Sequence, residues 1–541
     1  MNLEAVKKRI MDNADLILLM LISAVLVFYK ISALPIIDGD TAYYSKVAKN
    51  IVESGNWLTF RFLNPADIID KPPLAFWPIA VSFVLFGFTN FAVHIWHAFL
   101  SLGVVWLTFK IGNELFGRKI AFYSGLILIT MLQFFYQTRI PMQDMLLVLL
   151  VGGAFFSTYL FSKYKKISQY YLAVLFSALS VLVKGPLGIA LIAPVIFVYF
   201  IAIRTAPFNK LSQYIIHGIT GLVLFFVVGG SWYLHQYFVW GQQFLDKYWI
   251  RNVGRYFGQI DKEMKVYRDY YTYFIFLLAA TLPWGGFLYP SIYHAFKKIR
   301  ENKKEFALLL TWFFVIILFF SLTGNNKALR YSLPVFPALA IMLGKLLNDI
   351  FEDPEKYKKI IYTSLGLTVL LTVPLILFML YSVFTKFSGI FFDYFKMLIP
   401  FLITLCIALT AFIFLCLRKK LRTAFYTVIV LTCLSYVMLI HQTAKLLPQI
   451  RPYDHYSEII NSAPAKDIKV GYFKGEVPAF LIFSINSDVA RIDSEKELAA
   501  FLTTRKKVFV ISEDKKAFDE FRKKHKVNII EENYEFSLFT N

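Results

Sequence analysis

The chain has 541 residues, of which 57% are hydrophobic and only 17% are charged, and its mean hydropathy is +0.57. Apolar runs of about 20 residues recur along it, the length that crosses a bilayer, and this excludes an ordinary soluble enzyme. The net charge of +21 does not indicate a nucleic-acid-binding protein, because most basic residues lie in short clusters between the apolar runs, as in membrane proteins.

The apolar runs predict a polytopic α-helical membrane protein with about 13 transmembrane helices. The expected spans lie near 16–34, 91–111, 119–137, 141–161, 169–184, 186–203, 212–233, 271–290, 305–323, 331–349, 359–384, 393–417 and 423–441. Basic clusters occupy the N-terminus and every second loop, which the positive-inside rule places in the cytoplasm. The C-terminus is then expected on the exported side, together with the loops 35–90, 138–141, 184–186, 234–270, 324–330 and 385–392.

The first exported loop, 35–90, contains the first concentration of polar residues. It begins with Asp38 and Asp40 and later contains Asp70 and Lys71, which two prolines follow. Between these pairs, apolar residues at helical spacing predict a short amphipathic helix over 41–54, lying along the membrane surface. The apolar run 74–88 is short for a span and predicts a second interfacial or re-entrant helix.

The composition changes after Lys445. Residues 450–541 alternate strand-like runs with amphipathic helical runs, and Ser494 with Glu497 forms a capping box at the start of one helix. We therefore expect a membrane module over 1–445 and a small soluble α/β domain over 450–541. The domain has no glycine-rich phosphate loop, so no nucleotide is assigned to it.

The other exported loops and span ends contain further polar candidates. They are Asp144, Lys184, Arg255, Lys327, Arg330 and Tyr331. Charges are costly at membrane depth and face a cavity or a partner, so Asp144 is a candidate functional residue. Cations that converge near the interface suit a phosphate, because they neutralise a phosphoryl leaving group. Carboxylates beside them suit deprotonation of a nucleophile, and a phosphate at the edge of an apolar protein suggests a lipid phosphate.

These residues also have purely structural explanations. An aspartate near a helix start, such as Asp38 or Asp40, is often only a cap. Lys71 could extend its amine to the interface, and the remaining cations could serve topology or packing. Three histidines, His94, His97 and His235, are possible ligands of a divalent metal ion. Their spacing does not indicate a metal site, and no cofactor is assigned.

Several motifs, in this order, resemble one family. They are DTAYYSKVAKNIVESGNWLTF, IDKPPLAFW, RIPMQDMLL, LVKGPLGI, YWIRNVGRYF, LPWGGFLYP and NNKALRYSLPVFPALA, within about residues 35–345. The chain is similar in these segments to the bacterial lipid A aminoarabinose transferases and their relatives, the protein O-mannosyltransferases. These are membrane glycosyltransferases of the C-type superfamily that use polyprenyl-phosphate sugars. The resemblance implies the C-type glycosyltransferase fold.

The resemblance assigns roles to individual residues. Asp40, Tyr44, Asp70 and Lys71 match the family's loop residues Asp, Tyr, Glu and Lys. Asp144 occupies a position at which relatives carry an acidic residue, and Arg255 matches an arginine that comes later in the family's sequences. Tyr331 matches the family's tyrosine beside the phosphate. Three positions depart: Thr41 replaces the second acid of the loop, Tyr43 replaces an Arg, and Arg251 stands where the aminoarabinose enzymes usually have a Glu. The departures leave the donor sugar open.

The expected activity is an inverting sugar transfer from a polyprenyl-phosphate donor at the exported face of the bacterial inner membrane. The expected acceptor is lipid A, a related envelope glycan or a protein. Asp40 and Asp144 are the expected catalytic carboxylates. The donor phosphate is assigned to Lys71, Arg255, Tyr331, Lys327 and Arg330, and Asp38, Tyr44, Asp70 and Lys184 are assigned to the cavity. The alternative is a lipid or sugar transporter, but the polar residues gather on one face and no internal repeat is visible.

Overall fold

The computed structural model describes most of the chain. The described residues are 12–33, 36, 39–62, 68–252, 254, 270–323, 328–384, 390–450, 452–464, 468–475, 477–485, 487, 489–504, 506–532 and 536–541. Three of the predicted site residues, Asp38, Arg255 and Lys327, lie outside these ranges. Their assignments stay predictions.

Helices dominate the described part of the chain. The α-helices before the C-terminal sheet are α1 Ala14–Phe28, α2 Gly39–Ser54, α3 Trp77–Phe86, α4 Asn90–Phe116, α5 Arg118–Thr130, α6 Leu132–Gln137, α7 Asp144–Tyr164, α8 Ile167–Lys184, α9 Pro186–Ile203, α10 Leu211–Phe225, α11 Ser231–Trp240, α12 Gln242–Asn252, α13 Thr272–Ala280, α14 Gly285–Lys298, α15 Lys303–Leu322, α16 Phe336–Glu352, α17 Lys358–Phe384, α18 Ile390–Leu417, α19 Leu421–Ile450 and α20 Tyr453–Ser462. Short 3₁₀ turns cover Ile31–Ala33, Pro73–Ala75 and Leu329–Val335, and a π-helical turn covers Phe226–Gly230.

Ten helices in the described ranges are long and apolar enough to cross a bilayer, or up to eleven if one bent pair counts as a span. The bent pair is α13 and α14, which are bent by 117° relative to each other, so the span predicted over 271–290 is divided between two helices. The span predicted over 119–137 is likewise divided at Met131, between α5 and α6. The total of about 13 spans stays a prediction.

The two divided segments, α5–α6 and α13–α14, form hydrogen bonds with each other at their breaks. A broken helix inside a membrane leaves backbone groups that must find partners within the protein. The Leu132 N–H at the first break donates to the Leu282 carbonyl at the second, 3.0 Å away. The Trp284 indole N–H donates to the Thr130 hydroxyl at 3.0 Å. The Tyr436 hydroxyl of α19 donates to the Thr130 carbonyl at 2.9 Å. Each break is therefore stable because other segments supply its partners.

The predicted amphipathic helix over 41–54 is confirmed as α2, and the run 74–88 forms α3. Tyr44, Val47 and Ile51 lie on the buried face of α2. The Tyr44 ring packs against Phe76, with 5.5 Å between the ring centroids. Because the two short helices and the turn between them share one apolar core, α2 has a fixed position against the membrane-spanning bundle.

The C-terminal domain is the predicted α/β fold. Its strands are β1 Ile468–Phe473, β2 Val489–Ile492, β3 Lys507–Ser512, β4 Asn528–Glu532 and β5 Ser537–Thr540, and its helices after β1 are α21 Ala479–Ser484, α22 Glu495–Leu502 and α23 Lys515–Lys524. The sheet order is β2-β1-β3-β5-β4, with β1 parallel to both β2 and β3 and with β5 antiparallel to β3 and β4. The capping box of Ser494 and Glu497 is confirmed at the start of α22. The domain boundary near 445–450 stays a prediction.

The C-terminal domain packs directly on α2 and α3. Phe483 of α21 stacks on Phe83 of α3, with centroids 5.8 Å apart and an angle of 16° between the rings. The Lys49 ammonium of α2 donates to the Phe483 carbonyl at 3.5 Å. Burial lowers the pKa of Lys49, against the opposing effect of the nearby Glu53 carboxylate. The domain therefore braces the helix that carries Asp40.

We expect Phe483→Ala to loosen this contact, because truncating a buried phenylalanine costs about 3–5 kcal/mol. Phe483 is 5% exposed, and removal of its ring leaves a cavity beside Phe83. Hydrogen exchange should then rise in both α21 and α2. Ile530→Ala, which truncates a 40% exposed residue of β4, is the control and should leave both helices protected. Unchanged exchange in α2 for Phe483→Ala would show that the domain does not brace it.

Candidate active site

Three segments of the described chain meet at one end of the bundle. They are the start of α2, the start of α7 with the residues before it, and the 3₁₀ turn Leu329–Val335. The Thr41 hydroxyl donates to the Pro141 carbonyl at 3.0 Å, which fixes the first turn of α2 against the segment before α7. Asp40 and Asp144 both lie in the first turn of their helices, where the helix dipole favours a negative charge.

Asp40 is paired with Arg330. The guanidinium donates to the carboxylate at 2.8 Å. The side chain of Asp40 is 48% exposed and that of Arg330 is 30% exposed, so a ligand can reach this pair. A half-exposed pair of this kind holds its geometry weakly and can exchange partners with a charged ligand.

Asp144 is paired with Lys184 in a more enclosed setting. The Lys184 ammonium donates to one carboxylate oxygen at 2.6 Å, and the two side chains are only 5% and 14% exposed. The second oxygen, Oδ2, is buried and has no hydrogen-bond partner among the described residues. Lys184 is the last residue of α8, where the negative end of the helix dipole favours a cation. The pair thus keeps one acceptor atom available inside the site.

The Tyr331 ring contacts the cation of each ion pair. Its ring stacks on Phe320, with centroids 5.5 Å apart and 23° between the planes. The Lys184 ammonium lies 5.3 Å from the centre of the Tyr331 ring, and the Arg330 guanidinium carbon lies 5.9 Å from it. Both cations therefore contact one aromatic ring that the bundle holds in place.

Tyr44 lies close to both carboxylates. Burial raises the pKa of its hydroxyl well above the usual value, and the negative charges of Asp40 and then Asp144 raise it further. The positive charge of Arg330 acts in the opposite direction. The hydroxyl therefore stays protonated and can act as a hydrogen-bond donor across the physiological pH range.

Lys71 belongs to a second polar group, beside the first. Its ammonium donates to the Asn252 side-chain carbonyl at 3.1 Å and lies 3.5 Å from the carboxylate of Asp70. The Asn252 amide donates to the backbone carbonyl of Asp70 at 3.1 Å and to its carboxylate at 3.0 Å. The exposed Arg251 lies 3.7 Å from the other carboxylate oxygen. Asp70 and Asn252 thus orient the lysine.

The helix that carries Asn252 also reaches the first group. The Tyr248 hydroxyl lies so close to Gly185 that a Cβ there would overlap it. Gly185 has a φ of +67°, a conformation that a residue with a side chain adopts only under strain. This explains the glycine directly after Lys184 in the motif LVKGPLGI. The contact connects the position of Lys71 with that of Lys184.

Sequence reasoning does not single out Arg139, which positions the segment before Asp144. Its guanidinium donates to the carbonyls of Leu26 at 3.3 Å and of Tyr29 at 2.8 Å, and also to that of Val27. These carbonyls end α1 and have no partner within the helix. The sequence signal is an arginine at a span end, in a loop that is expected on the exported side, where the positive-inside rule does not explain it.

His94 and His97 contact backbone carbonyls, whereas the Nε2 atom of His235 lies 3.4 Å from the Thr59 hydroxyl. The two ring nitrogens of His97 lie 2.9 Å from the Gln137 carbonyl and 3.1 Å from the Met142 carbonyl. The Nδ1 atom of His94 lies 2.7 Å from the Asn90 carbonyl. Within the described ranges, no three His, Cys, Asp or Glu side chains form a group that could hold a metal ion.

The structure therefore brings together six of the predicted residues, namely Tyr331 and five others near it, and it places two more, Asp70 and Lys71, in the neighbouring group. The six are Asp40, Tyr44, Asp144, Lys184, Arg330 and Tyr331. Asn252, which lies in the motif YWIRNVGRYF, joins Asp70 and Lys71 in the second group, although the sequence assigns it no role there. The chemical roles of all these residues stay predictions.

The chain is similar to several known proteins. Residues 70–248 match the family described as dolichyl-phosphate-mannose-protein mannosyltransferase. An uncharacterised protein of Aquifex aeolicus is 27% identical over 492 residues, which is 90% of this chain and 89% of that protein. The undecaprenyl phosphate-alpha-4-amino-4-deoxy-L-arabinose arabinosyl transferase of Shewanella sediminis is 28% identical over 326 residues. The match covers 59% of this chain and 57% of that enzyme.

The fold is that of a solved membrane protein. The crystal structure of ArnT from Cupriavidus metallidurans bound to undecaprenyl phosphate superimposes with a TM-score of 0.77, at 16% identity and over 98% of both chains. The chain is thus similar in sequence to the mannosyltransferase family and to the arabinosyl transferases, and it is similar in fold to ArnT. The C-type fold expected from the sequence is confirmed, and this ArnT-like chain is a multi-pass membrane protein.

We expect the pair of Asp144 and Lys184 to show strong energetic coupling. Lys184→Met leaves a buried carboxylate without a counter-charge, which costs about 3–5 kcal/mol. Adding Asp144→Asn removes that charge, so the double variant should be more stable than Lys184→Met alone. Thermal unfolding of the four proteins in one detergent measures the double-mutant cycle. Additive losses would mean that the two side chains do not depend on each other.

Proposed function

We propose that this protein transfers a sugar from a polyprenyl-phosphate donor to an acceptor of the bacterial cell envelope, with inversion at the anomeric carbon. One observation carries the proposal: two cations and two carboxylates converge on Tyr331 at one end of an apolar bundle. The family and the fold agree with it. The named relatives are arabinosyl transferases that carry undecaprenyl phosphate in their name, and the superimposed ArnT structure contains that lipid.

The cations would hold the donor phosphate. Lys71 is oriented by Asp70 and Asn252 but remains partly accessible, with 22% of its side chain exposed. Arg330 and Tyr331 would contact the phosphate from the other side, with Arg255 and Lys327 as the remaining candidates. As the bond from the anomeric carbon to the phosphate oxygen breaks, the oxygen keeps the electron pair. These cations would stabilise the negative charge that develops there.

The carboxylates would act on the acceptor and the sugar. For a hydroxyl acceptor, Asp40 takes the proton while the acceptor oxygen forms a bond to the anomeric carbon. The half-exposed position of Asp40 suits this contact with an incoming molecule. Asp144, whose second oxygen lacks a partner in the described structure, would accept a hydrogen bond from the sugar. Tyr44 would donate one.

The acceptor and the location follow from the relatives and from the charge pattern. We place the protein in the bacterial inner membrane, with the N-terminus in the cytoplasm and the C-terminal domain on the exported side. Lipid A or a related envelope glycan is the proposed acceptor. Thr41, Tyr43 and Arg251 replace the residues that aminoarabinose enzymes usually carry. We therefore propose that the transferred sugar is a pentose or a hexose, and we do not assign it as aminoarabinose.

We expect purified protein in lipid nanodiscs to release polyprenyl phosphate from one donor of a panel of polyprenyl-phosphate sugars when crude envelope acceptor is present. Lys71→Met should lower the rate at least about a hundredfold, as loss of one charge-stabilising group does. Arg61→Met is the matched control, because this exposed arginine of the same loop lies outside both polar groups. A wild-type protein that moves lipid or sugar across the bilayer without releasing any donor phosphate would instead be a transporter.

Asp40→Asn tests the type of acceptor. If a hydroxyl is activated, the variant should lose about 10²–10⁴-fold in rate, because a general base contributes that much. If the acceptor is a phosphate anion, no proton has to be removed, and Asp40→Asn should keep substantial activity. The rates are measured with the lipid A fraction and, separately, with the protein fraction of the envelope. Loss of activity with both acceptor fractions, together with unchanged donor binding, would support the role of Asp40 as a general base.

A further inference from the structure

An open cleft lies between α9 and α10, with α8 as its back wall. Its volume is about 940 Å³, and its lining is almost entirely apolar. In the most apolar 18-residue stretch of the segment Leu211–Trp240, which contains α10 and α11, only 6% of the residues are buried, and α10 packs chiefly against α8. The cleft thus separates α9 from α10 within the membrane-spanning part of the fold. Its size is in the range of sites that hold a small ligand.

One end of the cleft is basic. Arg204, which ends α9 in the left-handed conformation with φ +54°, lines this end and has an exposed side chain. The Lys165 ammonium donates to the Ala206 carbonyl at 3.0 Å and so fixes the loop beside Arg204. The segments 165–170 and 204–217 add Lys166 and Lys210 and contain no acidic residue. Positive charge at this end of the cleft is therefore not balanced within these segments.

Aromatic rings close the cleft beside its basic end. Phe208 stacks on His217 with centroids 5.1 Å apart, and it packs against Phe161, Tyr170 and Tyr214 at 5.4, 5.4 and 5.2 Å. Aromatic clusters of this kind occur at the level of the lipid headgroups. The order from Arg204 through the aromatic rings to the apolar lining matches the order of phosphate, glycerol esters and acyl chain in a phospholipid.

We propose that this cleft binds an acidic glycerophospholipid, with its phosphate at Arg204 and an acyl chain between α9 and α10. Basic pockets between membrane helices bind anionic headgroups, and an apolar cleft open to the bilayer is filled by lipid chains rather than water. The site is separate from the candidate active site. The 18 residues of α9 place Arg204 about 27 Å from Lys184, at the opposite end of the bundle. A donor whose phosphate lies near Lys184 cannot also place it at Arg204.

Gly218 provides a way to fill the cleft without disturbing the fold. It lines the cleft, and a Cβ at this position would meet no atom within 4 Å. A side chain there also improves helix propensity, because glycine is unfavourable within a helix. Gly218→Trp should therefore occupy the space of the acyl chain. Ile219→Trp places the same ring on a 58% exposed position of the same helix, outside the cleft, and is the matched control.

The test is native mass spectrometry of delipidated protein titrated with phosphatidylglycerol or with phosphatidylcholine of the same acyl chains. We expect the wild type to bind one phosphatidylglycerol with at least about fivefold preference, the effect of one basic residue near an anionic headgroup. Arg204→Gln should remove the preference, and Gly218→Trp should lower the occupancy at least about tenfold for both lipids. Ile219→Trp and Arg422→Gln, an exposed arginine at the start of α19, should behave as wild type.

Three results would overturn the proposal. Equal binding of both lipids by the wild type would mean that the protein has only a non-selective lipid shell. Unchanged binding by Arg204→Gln and Gly218→Trp would place the bound lipid elsewhere. Co-purification of polyprenyl phosphate that Gly218→Trp displaces would assign the cleft to the tail of the sugar donor. None of these measurements depends on sugar transfer, so failure of the proposed function leaves this test intact.

Discussion

The buried ion pair of Asp144 and Lys184 determines much of the architecture around the candidate site. Two charges at 5% and 14% exposure are costly at the edge of a membrane unless the surrounding structure holds them together. The carboxylate begins α7, the ammonium ends α8, and Tyr331 covers the ammonium. Arg139 fixes the segment before the carboxylate, and Gly185 allows the chain to turn directly after the lysine. The site is thus made where helices end.

The contrast between the two ion pairs has a chemical meaning. The pair of Asp40 and Arg330 is accessible and can separate when an anion arrives, whereas the pair of Asp144 and Lys184 is enclosed. A phosphate that attracts Arg330 would leave Asp40 available for an acceptor. The same aromatic ring contacts one member of each pair. In this arrangement donor and acceptor need not compete for the same side chains.

The sequence predicts these features to different extents, for physical reasons. Hydrophobic periodicity predicts α2 and the capping box predicts α22, because both signals are local. The grouping of six candidate residues follows from motifs at helix ends and from the family resemblance. The breaks at Met131 and before Gly285 are missed, because apolar residues surround both and only the partner segment makes them stable. The contact of Asn252 with Asp70 is not predicted, because it joins residues about 180 positions apart and no local pattern contains it.

The paired breaks have a consequence for biogenesis. During synthesis, the segment α5–α6 enters the membrane long before Leu282, Trp284 and Tyr436 exist. Until then its exposed backbone groups at Thr130 and Leu132 have none of the partners described above. Such groups are not tolerated in hydrocarbon, so the break at Met131 is stable there only after the later helices arrive. Residues 119–137 would therefore take their final, divided conformation only in a late assembly step, after the last of these partners has been made.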